Sequence, residues 1–369
     1  MTYAKGLAGV IAGESSVSNV EGDIGRLSYR GYPIEELVSV DYAAVIYLLL
    51  WGELPDRQQQ RLLADFLGAE GALEEYESQL VESVPVDKHP MSMLQAMIPL
   101  LDSDCEQVLP VDAEGHQGLK IIAKLPALIA AYRSHQLSGK RPSYDSSRSY
   151  LGNFLQMFSG QSPDAAHEQI LSSVQILQME HSFNAGTFAS RVVASTLAPV
   201  AACLAAGVGA LAGPLHGGAD EAALRDAKKV GSVENVDEYL DNLLDSNGKL
   251  MGMGHREYRL VDPRAVILKP MAESLCSSGT NQQNYRILAE LERNFNARMK
   301  QKGRDIWANV EFYKGAVFEA IDIPQHYFTA MFVLARSVGW LAHLLESRRD
   351  NKLIRPKALY VGVEPRSLG

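Results

Sequence analysis

Residues 212–221 read AGPLHGGADE and isolate one imidazole, His216, between Pro214-Leu215 and the pair Gly217-Gly218. An Ala-rich, helix-like stretch follows directly. A histidine beside a helix N-terminus is kept neutral, because unpaired N–H groups and the helix dipole disfavour a positive ring. A neutral imidazole still donates a hydrogen bond, which suits it to polarising a carbonyl during enolisation. The flanking glycines admit unusual dihedrals and a close approach of substrate to the backbone. Taken alone, such a histidine also fits a satisfied core residue.

Two further stretches carry complementary groups. GKLMGMGHREYRLVDPR (248–264) sets Gly252 and Gly254 in a loop leading into His255 and three arginines, Arg256, Arg259 and Arg264. Exposed loop amides can grip phosphates or an adenine edge, and arginine offers bidentate contacts to carboxylates. NVEFYKG (309–315) places a lone carboxylate, Glu311, among apolar and aromatic neighbours. Burial there is expected to raise its pKa towards that of a usable general base, an exposed surface glutamate being the plain alternative. A second basic cluster, SRRDNKLIRPK (347–357), reads either as solvated surface or as part of a small-anion site. No His/Asp/Glu cluster has metal-ligand spacing, so no metal is expected.

Helices must position these groups. From Ile34 onward the periodicity is helical: VDYAAVIYLLLWGEL spaces apolar residues three and four apart, and LPDRQQQ opens with a Pro-Asp start signal. Only the N-terminal pieces LAGVIAG and RLSYRGY look β-like. The expectation is an all-α protein with about fifteen to twenty helices of ordinary length. TFASRVVASTLAPVAACLAAGVGALAG (187–213) is dominated by small side chains, which let helix backbones meet closely in the core or at a subunit interface. Within it GVGALA (207–212) formally fits a dinucleotide fingerprint. No strand precedes it, so helix packing is the reading and a nucleotide-dependent oxidoreductase is not favoured.

The bulk numbers agree with an ordinary globular protein: 369 residues, 46% hydrophobic and 21% charged. A formal charge of −9 argues against a nucleic-acid partner. No apolar run is expected to span a membrane, the start lacks a secretion-signal layout, and three scattered cysteines suit a reducing cytoplasm.

Over essentially its whole length the chain resembles bacterial-type citrate synthases and 2-methylcitrate synthases. YRGYPIEEL, AKLPALIAAYR, NFLQMF, EHSFNAGTFASRVVAST, GPLHGGADEA, GMGHREYRLVDPRA, NVEFYKG and NKLIRPKALYVG fall in that family's order and approximate spacing. The resemblance implies a two-domain, mostly helical homodimer. Residues 1–216 and 317–369 would form the large, dimerising domain, and 217–316 a smaller domain that closes over substrates. It implies that His216 hydrogen-bonds the thioester oxygen of an acyl-CoA and that Glu311 takes a proton from the acyl methyl. His255 would polarise the keto carbonyl of a 2-oxo acid. His181, Arg264 and Arg336 would bind that acid, joined by Arg355 from the neighbouring subunit. Lys249, Met251, Gly252, Gly254 and Arg259 would bind CoA, a co-substrate rather than a tightly held cofactor.

The chain departs from the family pattern close to this chemistry. Glu311 stands where aspartate is usual, Gly186 where a serine helps orient the first catalytic histidine, and Lys314 where a small residue is usual; Glu180, Glu257 and Pro199 also differ. The implied reaction is condensation of acetyl-CoA with oxaloacetate to citrate. Propionyl-CoA as donor, a phosphonopyruvate-type acceptor suited to the extra cation, and a catalytically silent CoA-binding paralogue are the alternatives.

Overall fold

A computed structural model describes residues 4–367. Among them lie sixteen α-helices, four short 3-10 turns and one three-stranded antiparallel sheet of order β1 (Ser18–Glu21), β2 (Arg26–Tyr29), β3 (Tyr32–Pro33). RLSYRGY thus contains a strand. LAGVIAG does not; it is exposed chain following the 3-10 turn Lys5–Leu7.

Local signals set many helix starts. Asp56 opens the helix Arg57–Glu70 with a capping box, accepting from the Gln59 amide at 2.8 Å while the Gln59 side chain accepts from the Asp56 amide at 2.9 Å. Three helices that carry candidate groups begin with a one-sided side-chain cap. Asn184 caps Ala185–Ala194, Asp262 caps Pro263–Leu275, and Asn309 caps Val310–Ala320. A side-chain oxygen at each cap takes up an amide that the helix cannot satisfy.

The core is organised around the helix Phe328–Arg349, buried continuously from Phe328 to Leu345. Counted from Gln325, this segment is long and apolar enough to cross a membrane, contrary to the expectation from sequence, yet its apolar window is 100% buried inside the protein. The helix buries Arg336 and His343 and serves as a core helix. The small-residue segment forms the helices Ala185–Ala194 and Val200–Leu211, packed on each other and on this core helix. Gly207 explains GVGALA: a Cβ there would stand 2.6 Å from the Trp340 ring. The motif is a packing surface.

The N-terminal hairpin turn presses on the loop after His255. A Cβ at Gly22 would lie 1.9 Å from the Glu257 carbonyl oxygen, and the Arg259 amide donates to the Gly22 carbonyl at 3.1 Å.

Candidate active site

His216 sits in a turn ahead of the helix Ala219–Val230. The two glycines after it have separate causes. Gly217 has no room for a side chain, because a Cβ would meet the Leu211 carbonyl oxygen at 2.3 Å, whereas Gly218 adopts φ 81°. The helix amide that touches the ring belongs to another element. Gly186, in the first turn of the helix Ala185–Ala194, donates its N–H to His216 Nε2 at 3.3 Å. An amide can only donate, so Nε2 accepts and the neutral ring carries its proton on Nδ1. Burial, then the positive charge of Arg336, lowers the His216 pKa from 6.5 to about 4. The expectation of a neutral imidazole stands, but its physical source is burial and a neighbouring cation.

At Gly186, where the resemblance leads to the expectation of a serine, a Cβ would stand 3.1 Å from Trp340 Nε1, a tight contact. Among the described residues, the hydrogen bond to the His216 ring comes from this backbone amide.

His181 and His255 lie edge to face with ring centroids 5.1 Å apart, and His181 Nε2 is 3.1 Å from the Tyr258 hydroxyl. His255 Nδ1 accepts from the amides of Glu257 at 3.0 Å and Tyr258 at 3.3 Å. These two amides favour the His255 proton on Nε2, over the longer 3.5 Å approach of Arg264 Nη2 to that nitrogen. Burial, with Arg264 next in weight, lowers both pKa values, that of His181 well below the ordinary histidine range. Next to His181, Glu180 Oε1 is held by His343 Nε2 at 2.9 Å and by the Ser18 hydroxyl at 3.0 Å.

Arg264 is bound at two points to Asp262, Nε to Oδ1 at 3.0 Å and Nη2 to Oδ2 at 2.8 Å. Asp262 Oδ2 also accepts from the Val310 amide at 3.1 Å, tying this pair to the helix that presents Glu311. Arg336 is different. Its side chain is buried and its Nε donates to the Gln178 carbonyl at 2.6 Å, but among the described residues no carboxylate lies within 4.0 Å of it. A buried guanidinium without an anionic partner is costly unless a ligand supplies the charge.

Glu311 keeps 14% side-chain exposure. Burial alone would raise its pKa, as the sequence suggested; Lys314, then Arg264 and His255, outweigh that effect and hold it below the usual glutamate value. The carboxylate is ionised, the form a base requires. Lys314 is fully buried, 3.7 Å from Glu311 Oε1, 3.2 Å from Asp220 Oδ2 and 2.8 Å from Gln178 Oε1. Phe332 underlies the centre. Lys314 Nζ lies 4.3 Å and Arg336 Cζ 4.8 Å from its ring centroid, and the His216 ring lies 6.5 Å away.

His181, His216, His255, Arg264, Glu311 and Arg336 therefore gather through direct contacts or shared neighbours. Arg355 does not join them; it is exposed on an extended C-terminal arm, tethered at Asn351 and Ile354 to Ser195. Lys249 is exposed and Met251 half-buried on the loop before His255. Gly252 (φ 79°) and Gly254 (φ 84°) bend that loop. Its amides are only partly available for a ligand, since Gly254 N–H donates to the Trp307 carbonyl at 2.7 Å. Arg259 is exposed and 3.1 Å from Asp23. Sequence reasoning missed Gln178, Asp220, Tyr258 and Phe332, whose partners are distant in the chain. It also missed Asp262, which its place as a helix cap ahead of Pro263 could have signalled.

The family model described as "Citrate synthase, C-terminal domain" matches residues 6–357. A citrate synthase from a Synechocystis species is 37% identical, the match covering 98% of this chain and 91% of that protein. A 2-methylcitrate synthase from Shewanella oneidensis is 32% identical over 98% of this chain and 96% of its own length. Citrate synthase from Thermotoga maritima superimposes with a TM-score of 0.88 at 32% identity, covering 99% of this chain and 98% of that one. The citrate synthase of Thermoplasma acidophilum, solved as a ternary complex with carboxymethyl coenzyme A and oxaloacetate, gives a TM-score of 0.91 at 28% identity, with 99% of this chain and 98% of that one covered. With its helical fold and these full-length matches, the chain belongs to the citrate synthase family of acyltransferases that convert an acyl group into an alkyl group on transfer.

Proposed function

We propose that this protein condenses acetyl-CoA with oxaloacetate, releasing citrate and CoA. The observation that carries the reading is Arg336, a buried guanidinium lacking a carboxylate partner among the described residues, set over Phe332 near an ionised Glu311 and a neutral His216. A dicarboxylate 2-oxo acid supplies the missing negative charge.

In this reading Glu311 removes a proton from the acyl methyl while His216 Nδ1–H donates to the thioester oxygen as it gains enolate character. The enol carbon then attacks the keto carbon, whose oxygen accepts a hydrogen bond from His255 Nε2–H. Hydrolysis of the resulting thioester releases CoA. His181, Arg264 and Arg336 hold the acid. The loop with Lys249, Met251, Gly252 and Gly254, together with exposed Arg259, takes the CoA moiety as a co-substrate, with no tightly bound cofactor. Residues 217–316 act as the smaller domain, closing on the remainder to exclude water. The protein works as a homodimer, with Arg355 completing the neighbour's site.

Propionyl-CoA is the second donor to consider, because a 2-methylcitrate synthase is among the full-length relatives. The case for a more highly charged acceptor weakens, since Lys314 is engaged by Asp220, Gln178 and Glu311. The test is release of CoA thiol from acetyl-CoA and propionyl-CoA against a panel of 2-oxo acids. Preferred turnover of acetyl-CoA with oxaloacetate is expected. Turnover confined to another acceptor, or binding without thiol release, overturns the proposal.

A further inference from the structure

Lys314 is a buried cation at this centre that the condensation chemistry does not use. It stands three residues after Glu311 on the helix Val310–Ala320. Its ammonium reaches three separate segments: Asp220 in the first turn of the helix after His216, Gln178 just before His181, and Glu311 itself. Gln178 in turn accepts from Arg336 Nε through its backbone carbonyl. The approach is built into the packing. At the adjacent Gly315 a Cβ would come within 2.8 Å of the Asp220 carbonyl oxygen, so only glycine lets the two helices close far enough for this contact.

We propose that Lys314 is the positioning residue for the base: it anchors the longer Glu311 side chain and keeps its carboxylate ionised beside the acyl methyl. This inference rests on the condensation reading above. Two physical effects support it. Glutamate has one more rotatable bond than the usual aspartate, and a misplacement of about 1 Å can cost about a hundredfold in rate. A cation fixed at 3.7 Å from Oε1 limits the orientations open to that carboxylate. Burial also favours protonation of Glu311, and Lys314 is the strongest opposing charge. The other groups facing Glu311 are Arg264 with its partner Asp262, His255, His216 and Arg336, with Asp220 on the far side of the lysine. Asp220 takes up part of the lysine charge, which leaves the ammonium an anchor for the base and no free cation for a substrate.

The test is Lys314→Met, assayed for kcat, both KM values and the pH profile, with Lys314→Arg as the conservative variant. The expected result is a kcat lower by about tenfold to a hundredfold, with KM for the 2-oxo acid within about threefold. The acid limb of the profile should move up by about one pH unit or more, and Lys314→Arg should recover part of both losses. An unchanged kcat, or a fall in kcat with an unmoved acid limb, overturns the proposal. Should the single variant fail to fold, Lys314→Met with Asp220→Asn leaves no stranded carboxylate and is read in the same way. A second readout separates this inference from the activity: titration of the Glu311 carboxylate by 13C NMR, assigned with Glu311→Gln. An upward shift on losing Lys314 supports the coupling even in an enzyme without turnover on these substrates, and no shift refutes it.

Discussion

Two residues carry most of the physics of this site, His216 and Arg336. Arg336 holds a buried charge that no carboxylate within 4.0 Å balances among the described residues. Removing it should therefore harm binding more than folding. Arg336→Met is expected to raise KM for the 2-oxo acid by about a hundredfold while leaving the thermal midpoint within a few degrees of wild type or above it. A large fall in that midpoint would assign the arginine a structural role instead. His216 makes the opposite trade, being stored without charge. Its pKa is about 4 in the fold against an ordinary 6.5. As pH falls below 6.5 the unfolded chain takes up this proton before the folded one does, so stability declines across that window and levels off below about 4. His216→Asn removes the difference. Between pH 7 and pH 5 the wild type should lose roughly 2 kcal/mol more stability than the variant, a gap readable by denaturant titration at the two pH values. Equal losses would mean the ring is charged in the fold.

At the scale of elements, three capped helix starts do the positioning. The Asn309 side chain is the clearest case. Its oxygen accepts from the Glu311 amide at 3.0 Å and its Nδ2 donates to the Gly254 carbonyl at 2.9 Å, so one residue couples the base's helix to the loop proposed for CoA. Asn309→Ala should cost about 1–2 kcal/mol in stability through the lost cap, and should also raise KM for acyl-CoA several-fold. A stability loss with unaltered KM would confine Asn309 to capping. Helices of this kind were legible because caps and periodicity are local: Asp41, Asp56 and Asn309 announce starts within a few residues of themselves. The chemistry-bearing positions were legible for a related reason, since glycines and lone polar groups in apolar surroundings stand out. The electrostatics were not. The sign of the Glu311 shift depends on Lys314, Arg264 and His255 arriving from different segments, and the amide that orients His216 comes from Gly186, thirty residues earlier. Nor does a sequence say that the apolar window within Gln325–Arg349 is buried inside the protein.

At the scale of the molecule, the unresolved weight rests on the C-terminal arm. Residues 351–367 have no regular structure and expose Leu353, Leu359, Tyr360, Val361 and Val363, more apolar surface than a free tail is expected to present to water. Arg355 lies exposed on this arm, which is tethered to Ser195 through Asn351 and Ile354. The homodimer proposed above would account for both observations, with the second subunit covering the apolar side chains and receiving the guanidinium. The two halves of that statement separate in a mixing experiment. Arg355→Ala and Glu311→Gln chains are each expected to be nearly inactive as pure dimers. Unfolded and refolded together in equal amounts, half of the dimers that form are mixed. If Arg355 acts across the interface, each mixed dimer holds one complete site, in the chain that keeps Glu311 and borrows its neighbour's arginine. Activity should then return to about a quarter of the wild-type level. If Arg355 served its own chain, every site in the mixed dimer would lack either the base or the arginine, and no activity would return.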